Sequence, residues 1–282
     1  MTRRLGVVVF VLAACFLSGG PYAQAQAPLP GLGSVMSALS IAQGGGIRLL
    51  GMGGVCTAVE DEANIRNAAS LVWVTRATVD AGIVGTGTID QGSGPEYAVR
   101  SYSLAQILPG RLAFAVRRTS LTSNSYLSPQ LGSVLASEYQ AVLVAGAARV
   151  GPRTSVGLTG ALSAMHLQAV MPPALPYEIR AKGRGGIEAG AFHWLSDSLT
   201  AGAVYSYWDE AEAWNPPLVP NATYRTEIIK GGLAYRPNQA TTVAAEYAHL
   251  TYKNRAAGWE VADSRAYWGI ERALTQDVCA RA

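Results

Sequence analysis

From about residue 72 onward, apolar and polar positions alternate with a period of two. The clearest stretch is Ser155 to Ala164. Val156, Leu158, Leu162 and Ala164 share one face there, and Ser155, Gly157, Thr159, Ala161 and Ser163 share the other. Thr241 to Tyr252 repeats the pattern, with Val243, Ala245 and Tyr247 opposite Ala244 and Glu246. In Ala181 to Trp194, Ile187, Ala189 and Ala191 fall opposite Lys182, Arg184 and Glu188. Period two is the signature of a strand with two unlike faces. The pattern predicts strands over 71–84, 97–107, 111–119, 136–149, 154–168, 177–194, 199–209, 223–236, 240–252 and 260–272, with a further strand beginning near Asp277. A transmembrane barrel and a soluble sandwich share this period, so alternation alone leaves both open.

The connections separate the two. Pro109-Gly110, Gly151-Pro152-Arg153, Ser196-Asp197-Ser198 and Pro237-Asn238-Gln239 read as tight turns. They alternate with longer links at about 119–132, 170–176, 209–221 and 253–258. Short turns on one rim and long loops on the other are the habit of outer-membrane barrels. Tyr205, Tyr207, Trp208, Trp214, Tyr247, Tyr252 and Trp259 gather near strand ends. They read either as an interfacial girdle or as ordinary core and loop aromatics. The fold class expected is therefore all-β, a transmembrane antiparallel β-barrel with about 10–11 strands present and a short N-terminal helical segment. The pattern breaks off within 271–282 without a terminal aromatic, which suggests a C-terminally truncated barrel or a miscounted strand.

Composition fits this picture. Only 15% of residues are charged, against about 25% in soluble domains. The chain has 31 Gly and 13 Tyr but 4 Phe. The formal charge of +3 includes Arg3 and Arg4, so the remainder is near neutral. That gives no electrostatic case for nucleic acid. Arg3 and Arg4, the apolar run Leu5 to Leu17 and the Ala23-Gln24-Ala25-Gln26-Ala27 tail form a secretory signal peptide, residues 1–27. Cleavage falls after Ala27 or Ala25. A lipoprotein reading, with Leu12-Ala13-Ala14-Cys15 as lipobox, is the alternative. Residues 28–71 then form an N-terminal segment and 72–282 the barrel. Within the segment, Glu60-Asp61-Glu62 precedes Ala63 to Ser70. Carboxylates there suit a helix N-terminus, with Asp61 as cap. Cys56 and Cys279 read as two free thiols rather than a bridge.

The passage Gly51-Met52-Gly53-Gly54-Val55-Cys56-Thr57-Ala58-Val59-Glu60-Asp61-Glu62-Ala63-Asn64, followed by Asn67-Ala68-Ala69-Ser70-Leu71, resembles an N-terminal signature. It belongs to the outer-membrane barrels related to long-chain fatty acid and aromatic hydrocarbon transporters and to PorV-like proteins. The family form is G-M-G-G-A-F-T-A-V-A-D-D-A, then N-P-A-G-L. Ala68 and Ser70 replace its Pro and Gly. Tyr267 to Thr275 also looks like a late hairpin of these barrels. The resemblance implies a 14-stranded barrel whose N-terminal segment plugs the lumen from the periplasmic side, located in the outer membrane. Some relatives pass apolar ligands; others serve secretion and surface attachment. Gly51, Met52, Gly53, Gly54, Asp61 and Asn67 are the positions matching the motif, with a structural role.

Catalytic chemistry is not expected. His166, His193 and His249 sit in three different strands without metal-ligand spacing. Gly183-Arg184-Gly185-Gly186 lacks a P-loop lysine and the dinucleotide fingerprint. No enzyme activity, cofactor or metal is expected. Lys182, Arg184, Glu188, Lys230, Glu246, Arg265 and Glu271 are candidates to line a lumen. The partners expected are the lipid bilayer and either small apolar ligands or an exported protein. Three functions remain: a barrel passing small hydrophobic molecules, a PorV-like scaffold, and a non-barrel exported β protein.

Overall fold

The computed structural model describes Val55, 57–60, 66–74, 78–86, 96–108, 111–128, 133–170, 177–215, 222–255, 258–275 and 279–281. The expected signal peptide, Gly51 to Gly54, Cys56 and Asp61 lie outside the described residues.

Among the described residues, eleven strands form one antiparallel sheet in chain order. They are β1 (Thr78–Thr86), β2 (Glu96–Leu108), β3 (Leu112–Ser128), β4 (Ser133–Arg149), β5 (Thr154–Val170), β6 (Tyr177–Ser196), β7 (Leu199–Asn215), β8 (Ala222–Asn238), β9 (Thr241–Asn254), β10 (Trp259–Ala273) and β11 (Cys279–Arg281). Each pairs with its sequence neighbour, so every connection is a hairpin. Among the described residues no ladder joins β11 back to β1. The fold is thus an up-and-down antiparallel sheet of barrel type, as the alternation and the short and long connections together led one to expect.

The two faces of this sheet differ. On β5, Ser155, Gly157, Thr159, Ala161 and Ser163 are buried, while Val156, Leu158 and Leu162 are exposed. On β4, Ala141, Leu143, Ala145 and Ala147 are buried, while Val142 and Val144 are exposed. On β9 the buried row is Thr242, Ala244, Glu246 and Ala248. Most large aliphatic side chains of these strands therefore point out, and the inward rows are mainly small or polar, with Leu143, Phe192 and Trp208 as the large inward exceptions. A sandwich core would have the reverse distribution.

The described residues of the N-terminal segment, Val55, 57–60 and 66–74, lie against the inner face. A 3₁₀ helix, Ala68–Trp73, lies at the end of this segment. Of the helix expected over 63–70, residues 63–65 lie outside the described residues, 66–67 form a turn, and 68–70 open this 3₁₀ helix. No acidic residue occupies its first turn, and Asn67 at its N-cap makes no capping hydrogen bond. The first strand begins at Thr78 rather than 71. Leu71 and Val72 look like the start of an apolar strand in sequence, but they are buried as helix residues against the wall.

Two expected loops are also largely strand. β3 continues to Ser128 and β7 to Asn215. The Ser- and Thr-rich run 119–128 is polar, yet it pairs residue for residue with β4 as far as Tyr126. Thr suits the pleat through its branched Cβ. The polar composition there belongs to ladder rather than loop. Of the candidate girdle residues, Tyr205 and Tyr247 are exposed on the outer face, whereas Trp208 is buried on the inner one. Tyr224 and Tyr252 stack with centroids 5.1 Å apart.

Candidate functional site

The site is the contact between residues 55–74 and the inner wall. Glycine makes it close. At Gly202 of β7 a Cβ would collide with the Thr57 carbonyl, and at Gly157 of β5 with the backbone of Ala68 and Ala69. No other residue type lets a strand approach another backbone so nearly.

Polar groups then fasten the segment. Thr57 N–H donates to Glu246 Oε2 over 2.7 Å, and the Thr57 hydroxyl donates to the same oxygen. Lys230 Nζ lies 3.3 Å from Glu246 Oε1. Arg66 Nη1 pairs with Glu188 Oε1, both side chains being almost wholly buried. Arg236 holds Glu60 through both guanidinium branches, one at 3.1 Å. The Thr200 hydroxyl donates to Ala58 O at 2.7 Å, and the Ser155 hydroxyl donates to Ala69 O at 2.6 Å. Trp73 Nε1–H donates to the Ser155 oxygen at 2.7 Å. Asn67 Nδ2 donates to Thr57 O at 2.6 Å and to Ala191 O at 3.2 Å. Five consecutive strands, β5 to β9, each contribute a hydrogen-bond or ion-pair partner.

At one end an aromatic cluster completes the contact. Trp73 lies 6.4 Å from Phe192 and 6.1 Å from Trp194, measured between ring centroids. The Arg149 guanidinium sits 4.0 Å over the Trp73 ring, and Arg236 sits 5.3 Å over Trp194. A second cluster gathers Val55, Ala58 and Val59 with Ala234, Ala244 and Tyr267.

The lumen candidates scatter. Glu188, Lys230 and Glu246 meet the N-terminal segment or each other as described. Arg265 pairs instead with Asp263 of its own strand at 2.6 Å, about half exposed. Glu271 stands opposite Thr242 and Arg281 in the ladder. The side chains of Lys182 and Arg184 lie outside the described residues. Their backbone runs through an irregular stretch of the ladder. The β6–β7 register jumps from Gly183 to Gly185, and Gly185 has φ +138°. One extra residue on β6 reverses the alternation at that point. Lys182 is then opposite Ala164, an outward position of β5. Sequence reasoning missed Thr57, Arg66, Ser155, Thr200 and Arg236. The inward glycines at 157 and 202 are the one signal that could have pointed to a close-packed segment.

The geometry defines a class: an antiparallel barrel-type sheet, apolar outside, with an N-terminal segment bound inside. Comparison with solved structures agrees. The Pseudomonas putida toluene transporter TodX is similar with a TM-score of 0.53, at 13% identity, over 86% of this chain and 81% of that one. A deltaS2 mutant of the TodX monoaromatic hydrocarbon channel gives 0.55 at 14% identity, over 84% and 81%. A Pseudomonas aeruginosa FadL homologue gives 0.52 at 15%, over 86% and 78%. No family model and no curated protein matches the sequence. The fold is that of these solved structures.

Proposed function

We propose that this chain is an outer-membrane channel for small hydrophobic molecules, exported by residues 1–27 and plugged by the segment that ends at residue 71. The observation that carries this reading is the inverted burial. Leu162, Leu158 and Ile187 are each more than 60% exposed, whereas Glu188 and Glu246 are buried. Exposed apolar rows of that kind suit hydrocarbon and not water. From Val156 to Ala164 the outward row of β5 spans an apolar band on the order of 20–25 Å at a tilt near 40°. The bound segment supports a plug, since it fills the inner face with polar contacts that a bilayer could not supply. The neighbours named as a toluene transporter and a monoaromatic hydrocarbon channel support the substrate class.

The test is expression of the full chain in a Gram-negative host, followed by membrane fractionation, heat-modifiable gel mobility and uptake of labelled toluene. An outer-membrane product with a mobility shift and added uptake is the expected result. A soluble periplasmic product without a shift would overturn the barrel. Assembly without uptake would move the chain to the scaffold role that the family resemblance also implies.

A further inference from the structure

The outer face of β2 to β6 ends in a basic border on the side of the long connections. On β3 the outward row runs Leu112, Phe114, Val116 and then Arg118, which is exposed. Arg118 stands opposite Val142 of β4, where the outward row of that strand is still apolar. The next ladder row is Arg100, Ser120, Gln140, Ala164 and Lys182, one residue from each of β2 to β6. The row after it is Ala98, Thr122, Glu138, His166 and Arg180. Gln140 and Ala164 are exposed. Ladder partners share a face and every second residue returns to it, so both rows are outward. Three adjacent rows thus hold Arg100, Arg118, Arg180 and Lys182 against one carboxylate, Glu138. Glu96 and Glu178 come one row further toward the loops.

The bulge on β6 completes this border. On one side of it the odd positions are outward, as Ile187 shows. The extra residue between Gly183 and Gly185 brings the even positions 182 and 180 to that same face. The corresponding level of β7 to β10 is different. There Arg225 pairs with Glu227, Lys253 pairs with Glu260 at 3.0 Å, and Asp209 stands opposite Arg225. That sector is neutralised from within, whereas β2 to β6 carry a surplus of cations.

Cations bordering an apolar outward face stand at the level of lipid headgroups. Surplus positive charge at that level selects an anionic headgroup. Arginine, which supplies most of the border, matches phosphate oxygens in pairs. The row from Arg100 to Lys182 crosses β2 to β6, about 19 Å at ordinary strand spacing. That width suits phosphates at two ends of one headgroup. We propose that the outer face of β2 to β6 is a docking surface for a membrane lipid whose headgroup carries two phosphates. This rests on the membrane-spanning reading and adds to it a lipid partner distinct from any transported molecule.

Lipid A, a glucosamine disaccharide with two phosphates, is the probe, and phosphatidylglycerol, with one, is the comparison. The full chain is folded in a zwitterionic detergent and its heat-modifiable mobility is checked. Each lipid is then titrated while native mass spectrometry counts the bound adducts. Lipid A should bind at least about tenfold more tightly than phosphatidylglycerol, and less tightly as salt rises. Arg100→Gln, Arg180→Gln and Lys182→Gln together should weaken lipid A binding by about tenfold or more. Arg225→Gln with Lys253→Gln, in the neutralised sector, should change it by less than about twofold. Equal binding of the two lipids by the unaltered chain overturns the proposal and needs no variant. Equal loss in the two variants overturns it as well. A chain that shows the mobility shift yet holds neither lipid removes the docking surface and leaves the channel reading standing. A chain that shows no shift in detergent defeats both.

Discussion

The inner and outer faces of β4 to β9 are built from the same strands, yet they obey opposite rules. Outside, Val156, Leu158, Leu162, Ile187 and Ile229 are exposed and need no shape partner. Inside, Gly157, Glu188, Gly202 and Glu246 each meet a named atom of residues 55–74. The outer face is defined by solvent preference and the inner face by fit. Substitutions on the two should therefore fail in different ways.

The largest effect is expected inside. Glu188→Ala leaves the Arg66 guanidinium buried without its carboxylate. Breaking such a pair costs about 3–5 kcal/mol. Urea unfolding of the reconstituted chain should show that loss, and protease should cut the N-terminal segment sooner. Next comes Leu158→Arg on the outer face. A charge near the bilayer midplane costs about 2–4 kcal/mol, so folding into liposomes should weaken. The segment, once the sheet has folded, should stay protected. Gly202→Ala is smaller in chemistry but lands on the Thr57 carbonyl. Overpacking of this kind costs about 1–3 kcal/mol. It should expose residues near 57 to protease without changing membrane insertion. The smallest effect is expected at the rim. The Arg153–Asp197 pair is well exposed, so Arg153→Ala should shift stability by less than about 1 kcal/mol.

The contrast also explains what could be read from the sequence. Alternation revealed all the strands because each face keeps its own composition. It could not say which face was inward, since Leu158 exposed to lipid and Leu158 in a core have the same period. The start of β1 was misplaced because Leu71 and Val72 are apolar whether helical or extended. The glycine cluster around Arg184 was recognisable as neither phosphate loop nor nucleotide motif. Its role as a bulge emerges only from pairing with Glu210 and Asp209. Asn67 stood out through the family motif. The Arg66–Glu188 pair did not, because its members are 122 positions apart and nothing local links them. Contacts between a segment and a distant wall are set by register, which periodicity does not encode.

The proposed channel requires the apolar face to meet lipid while the opposite face holds the N-terminal segment. Two native tryptophans sample those faces: Trp268 is 57% exposed and Trp208 is 5% exposed. Single-tryptophan forms of the full chain, with the other tryptophans changed to Phe, can be reconstituted in liposomes containing brominated lipid. The account predicts strong quenching of Trp268 fluorescence and little of Trp208. Equal quenching of the two, or none at Trp268, would contradict it.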